Sequence, residues 1–199
     1  MAPRVACVRT TTMISRPSRI DTIDRIVEDA IIQRIFPGAV VLIGSGTIIQ
    51  HLAAYGSTTY GEPPGRPVEV TTIYDIASLT KMVTATAILR LWEDGQLDLD
   101  AQVASYVPML RAKTVTLRHL LTHTSGLDLR LSEVARTTGM LWPAIYEAPL
   151  RQAPGAVAAY TNINSLLLGA ILERLSGKPL DRVQMQMSLK AAATALRSL

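Results

Sequence analysis

One junction constrains this chain more than any other feature. Residues Ile73 to Ala77 form a short apolar, β-branched run that reads as a buried strand, and Leu79 to Glu93 is rich in helix formers. Between them stands Ser78-Leu79-Thr80-Lys81. Residues three apart on a helix share a face, so the Ser78 hydroxyl and the Lys81 amine are expected to meet. A serine hydroxyl is a weak nucleophile until a neighbouring base takes its proton. A lysine can be that base if partial burial lowers its pKa. The free N–H groups of a first helical turn favour negative charge forming beside them. The tetrapeptide alone is unspecific, because a serine N-cap followed by a solvated lysine explains it equally well.

The rest of the chain reads as a mixed α and β protein. Ile23, Ile26, Val27, Ala30 and Ile31 mark one face of a first helix that ends before Pro37-Gly38. Ala39 to Ile43 and Ile48 to Tyr55 flank Gly44-Ser45-Gly46-Thr47 and predict a β-hairpin. Gly56 to Arg66 is a loop rich in glycine and proline. The helix after Ser78 should end near Asp94-Gly95, and Thr116 should cap a short helix running to Thr122. Residues 126–159 read as a long loop with helical pieces. Leu166, Leu167, Ala170, Ile171 and Leu175 mark the buried face of a last clear helix closed by Gly177.

Composition excludes several classes. Hydrophobic residues make up 48% and charged residues 18%, which is a folded globular composition rather than a disordered one. The net charge of +4 is concentrated at one end. Arg4, Arg9, Arg16 and Arg19 precede the first acidic residue, and the remaining basic residues balance the 16 acidic ones. The body therefore has no electrostatic footprint for nucleic acid. The single cysteine, Cys7, excludes an internal disulfide framework. No apolar stretch approaches a membrane span. Residues 1–20 carry arginine, serine and threonine without an acid and read as a disordered basic leader. No secretory pattern follows their charges, so a cytoplasmic location is expected rather than secretion.

A second motif, Tyr160-Thr161-Asn162, stands in a loop before the last helix. Between the two motifs runs Thr116-Leu-Arg-His-Leu-Leu-Thr-His-Thr-Ser-Gly-Leu127. With Ile73 to Lys81, Glu93 to Asp100 and Pro154-Gly155, these ordered segments resemble the serine β-lactamase-related hydrolases. That family includes class C β-lactamases, DD-peptidases, D-aminopeptidases and esterases of the family VIII type. The resemblance extends from about Ile23 to Asp181, leaving 182–199 as an atypical helical tail.

The resemblance implies an α+β, β-lactamase/transpeptidase-like fold with a helical region beside an antiparallel sheet. It implies Ser78 as the acylated nucleophile, Lys81 as acceptor or relay of its proton, and Tyr160 as a second proton-transfer group. Asn162 would bind substrate or Lys81; as a residue at a helix start it also fits an N-cap. The substrate would be a small-molecule amide, lactam or ester. No cofactor and no metal are expected. His119 and His123, four apart, could share a helical face at zinc-like spacing, but no acidic residue lies between them and no third ligand stands out, so they are expected to pack and hydrogen-bond near the helix–loop junction, and Trp142 and Tyr146 to pack. The family's third motif, Lys-Thr-Gly or His-x-Gly, is missing; Lys113-Thr114-Val115 and His123-Thr124-Ser125 do not fit it. The chain is therefore expected to be a truncated domain with an open sheet edge, at which homo-oligomers could pair. Two functions follow: a serine hydrolase working through an acyl-enzyme, or an inactive remnant or interaction subunit of the same fold.

Overall fold

The computed structural model describes residues 17–129, 134 and 140–186. Most of the expected leader and residues 187–199 of the expected tail lie outside the described residues. The chain divides into two compact units, Met1–Asp75 and Ile76–Leu199.

In the first unit, helix α1 (Pro17–Ile32) contacts the second strand of a hairpin, β1 (Gly38–Ser45) and β2 (Ile48–Gly56). The strands pair antiparallel from Gly38 opposite Gly56 to Ser45 opposite Ile48, with one irregularity at Ile43/Gly44. Gly46 takes the turn at φ +57°, the left-handed region that glycine enters without strain. Gly38 is held by crowding, since a Cβ there would lie 2.5 Å from the Ser57 carbonyl oxygen. Among the described residues no third strand joins this sheet. The α1 face departs from expectation at Ile26, which is exposed, whereas Asp24 is buried.

The expected strand Ile73–Ala77 does not form. Residues 72–76 are irregular, and Ile73 is 96% exposed rather than buried. β propensity reports how well a residue fits a half-buried pleated surface, and among the described residues no strand edge pairs with the run.

The second unit is helical. A 3₁₀ turn (Ala77–Leu79) leads into α2 (Thr80–Glu93), followed by α3 (Val103–Tyr106), α4 (Leu117–Leu121), α5 (Leu141–Tyr146) and α6 (Asn162–Ser176). Residues 180–186 are also helical. Ala87 and Ile88 of α2, Leu117 and Leu120 of α4, and Ile163, Leu167 and Ile171 of α6 share one apolar core. Packing against α6 thus fixes α4 and α2, the helix into which Ser78 leads. Gly95 follows α2 at φ +69° and Gly177 closes α6 at φ +64°, both as expected of glycine past a helix end. From the expected tail, Gln184 donates from Nε2 to Thr84 Oγ1 on α2 at 2.9 Å. Among the described residues no helix is long and apolar enough to cross a membrane.

Candidate active site

Ser78 lies within the 3₁₀ turn, and its local backbone is unusual. Ala77, immediately before it, has φ +44°, a conformation that costs an L residue about 1–2 kcal/mol. Ser78 follows, two residues before α2 begins at Thr80. One turn later, Lys81 Nζ donates to Ser78 Oγ at 2.9 Å.

The third member arrives from far along the chain. The Tyr160 hydroxyl donates to Ser78 Oγ at 3.1 Å, and Lys81 Nζ lies 5.3 Å from the Tyr160 ring centroid. Hydrogen bonding with Lys81, and then with Ser78, holds the Tyr160 hydroxyl below the usual phenol range. An ammonium beside a phenol favours the phenolate, and so favours a base. Ser78 and Tyr160 are both exposed, Tyr160 at 64%, so the oxygen atoms face open solvent.

Asn162 is not brought into this group. It is the exposed first residue of α6 and makes no side-chain hydrogen bond among the described residues. Nor is it the N-cap: Thr161 has the extended backbone of a cap, and its side chain accepts from the Ile163 N–H at 3.4 Å. The cap lies one residue before the expected position because Asn162 already has helical geometry.

The two histidines do not share a helical face. His119 belongs to α4, where its Nδ1 accepts from the Thr116 N–H at 3.2 Å while Thr116 Oγ1 accepts from the His119 N–H, a reciprocal cap. His123 lies beyond the helix end at φ +56°. Its ring packs against Tyr160 with centroids 4.8 Å apart. Its Nδ1 faces Asn164 Nδ2 at 3.2 Å and accepts from the Thr161 N–H at 3.4 Å. Asn164 is fully buried, and its Oδ1 accepts from Ser125 Oγ at 2.7 Å. Burial, and then the nearby Lys81 charge, push the His123 imidazole below its ordinary value. Among the described residues no group of three or more His, Cys, Asp or Glu is placed to hold a metal ion. Trp142 and Tyr146 stack on each other on α5, with centroids 5.9 Å apart.

The Beta-lactamase family profile matches residues 23–186. Esterase EstB from Burkholderia gladioli is 32% identical over 185 residues, covering 79% of this chain and 46% of that protein. The D-alanyl-D-alanine-carboxypeptidase/endopeptidase AmpH of Escherichia coli strain K12 is 34% identical over 138 residues, covering 61% and 36%. Among solved structures, the octameric penicillin-binding protein homologue from Pyrococcus abyssi superposes with a TM-score of 0.71 at 26% identity, covering 84% of this chain and 42% of that one. A class C β-lactamase gives 0.68 at 29% identity, covering 80% and 45%. The chain spans less than half the length of these relatives. With the profile matched over most of its residues and the fold shared with these structures, the chain belongs to the Beta-lactamase family.

Proposed function

We propose that this chain carries the nucleophile of a serine hydrolase that opens amide, lactam or ester bonds through an acyl-enzyme. The observation that carries the reading is a single oxygen, Ser78 Oγ, in hydrogen-bond contact with both Lys81 Nζ and the Tyr160 hydroxyl. In this reading Tyr160, as phenolate beside the Lys81 ammonium, takes the Ser78 proton. Oγ then bonds to the acyl carbon, whose carbonyl becomes an oxyanion beside the Ser78 backbone N–H. The oxyanion collapses, the bond to the leaving nitrogen or oxygen breaks, and the leaving group takes the proton from Tyr160. Water attacks the acyl-enzyme with Tyr160 again as base, releasing the acid and restoring Ser78. Lys81 keeps its charge throughout, stabilising the phenolate. This gives the lysine an electrostatic role in place of the base role its spacing alone suggests.

The same geometry favours slow turnover. Ser78 and Tyr160 stand exposed, and charge stabilisation is strongest where water is excluded. The inactive-remnant reading draws on this exposure. The two separate in one experiment: incubate the purified chain with a fluorophosphonate and map the adduct by mass spectrometry, with Ser78→Ala as control. The expected result is an adduct on Ser78, absent from the variant, together with feeble hydrolysis of a chromogenic ester and a chromogenic cephalosporin. Absence of any adduct on Ser78 from the folded chain would favour the remnant.

A further inference from the structure

His123 stands at a position where the backbone alone would select glycine. Helix α4 ends at Leu121, Thr122 is its C-cap, and the next residue is left-handed at φ +56°. Glycine takes that conformation freely, whereas a side chain there is strained. Around this one residue the loop carrying Tyr160 is fastened at three points. The His123 carbonyl accepts from the Ala159 N–H at 2.8 Å. Its Nδ1 accepts from the Thr161 N–H at 3.4 Å. Its ring packs on the Tyr160 ring between those two anchors. A histidine at position 123 therefore grips the residues before and after Tyr160, and Tyr160 itself.

A chain of hydrogen bonds behind the ring fixes its protonation. The Leu127 N–H donates to Ser125 Oγ at 3.2 Å, and the Ser125 hydroxyl donates to Asn164 Oδ1 at 2.7 Å. The Asn164 amide must then present its NH₂ to His123 Nδ1 at 3.2 Å. With the Thr161 N–H also pointing at Nδ1, that nitrogen has two donors and room for no proton of its own. We infer that His123 is a positioning residue for Tyr160, and that it acts only as the neutral imidazole carrying its proton on Nε2. The inference rests on reading Tyr160 as the proton-transfer group. Among the described residues, the titratable groups facing His123 are Tyr160 from the loop before α6 and Lys81 from α2. Burial and the Lys81 charge oppose protonation, in keeping with the donor arrangement. If acid nevertheless forces a proton onto Nδ1, it meets two N–H groups, and the grip on the Tyr160 loop is lost.

The test reads Tyr160 directly and does not need turnover. In protein labelled with ¹³C at the tyrosine ring carbon bearing the hydroxyl, Tyr160 is assigned with Tyr160→Phe and titrated in wild type, His123→Gly and His123→Asn. Glycine suits the left-handed backbone and removes the ring. Asparagine tolerates that backbone and places an acceptor oxygen near the site of Nδ1 but cannot take a proton. Expected is a Tyr160 titration that moves up toward the free phenol in His123→Gly and returns toward wild type in His123→Asn. The rate of Ser78 labelling should follow, falling about 10²-fold in the glycine variant and recovering most of that loss with asparagine. The ¹⁵N spectrum of wild-type histidine should show His123 with Nδ1 unprotonated. An Nδ1–H tautomer, or a Tyr160 titration unchanged in His123→Gly, overturns the inference; if that variant does not fold, the wild-type tautomer decides. Should wild type fail to label at Ser78 while the Tyr160 titration still moves, the acyl-enzyme reading falls and the positioning role stands.

Discussion

Two tyrosine hydroxyls anchor two polar clusters in this chain, one in each compact unit, and their surroundings differ. In the first unit the Tyr55 hydroxyl donates to Asp24 Oδ1 at 2.5 Å and lies 3.0 Å from His51 Nε2, which is itself 3.3 Å from the same carboxylate oxygen. Tyr55 is 1% exposed and Asp24 8%. In the second unit the Tyr160 hydroxyl donates to Ser78 beside Lys81 in the open. By residue type the buried cluster looks the more catalytic, with a carboxylate, an imidazole and a phenol in contact. Yet its groups satisfy one another behind packed side chains, where a reacting carbonyl has no access. Buried polar groups must be paired or they cost stability; an exposed hydroxyl can be reached by a reacting carbonyl. The contrast assigns the buried cluster to joining α1 to β2, and the exposed one to the proposed chemistry.

The largest effect is expected from Tyr160→Phe. Losing the proton-transfer hydroxyl should lower Ser78 labelling by about 10²–10⁴-fold, the usual worth of a general base, while leaving the thermal midpoint nearly unchanged because the ring is largely exposed. In wild type, labelling should rise with pH and reach its plateau below the value at which a free tyrosine ionises, since Lys81 and Ser78 hold the phenol down. A plateau reached only at the free-tyrosine value would separate Tyr160 from proton transfer. Tyr55→Phe should do the opposite. It removes a buried donor from the Asp24 carboxylate and should cost about 1–3 kcal/mol of stability, read by urea titration, with Ser78 labelling unaltered under folding conditions. A labelling defect comparable to that of Tyr160→Phe would mean the buried cluster is not merely structural.

A smaller effect is expected from the imidazole of His123. Its folded pKa is depressed, so the unfolded chain binds the proton more readily. The associated stability is fully present above the unfolded histidine value, about 6.5, and is lost as pH falls from there through the lowered folded value. Wild type should therefore lose stability on acidification through that window more steeply than His123→Asn, in parallel unfolding curves.

How much of this was legible in the sequence depends on the range over which each feature is determined. The hairpin, the helix after Ser78 and the last helix follow from periodicity and from glycines at their ends, and each formed within a residue or two of expectation. Ser78 and Lys81 could be paired because a three-residue helical spacing is a local rule. Tyr160 is 82 positions from Ser78, and only the ordered resemblance of both motifs to one family joined them. The run Ile73–Ala77 misled because apolar content makes a strand only where an edge receives it. The left-handed Ala77 carries no sequence mark, since glycine would have been the visible signal. His123 packs and hydrogen-bonds at the helix–loop junction as expected, but its contact with Tyr160 was not legible: its spacing from His119 suggested a shared face, whereas α4 stops at Leu121. A histidine where a helix end would favour glycine was the signal available.

The least consequential change should be Thr161→Ala, and it distinguishes between two ways of holding Tyr160. Thr161 caps α6 through a long 3.4 Å bond to the Ile163 N–H, so its loss should cost toward the low end of the capping range, about 0.5 kcal/mol. If α6 positions Tyr160 through this cap, the frayed helix start should also slow Ser78 labelling markedly. If His123 positions it, the Thr161 backbone N–H still reaches Nδ1, the Ala159 N–H still reaches the His123 carbonyl, and the rings stay packed. Labelling should then change by less than about threefold, the size of a perturbation well under 1 kcal/mol. A larger loss, with His123→Gly showing little, would move control of the tyrosine from the end of α4 to the start of α6.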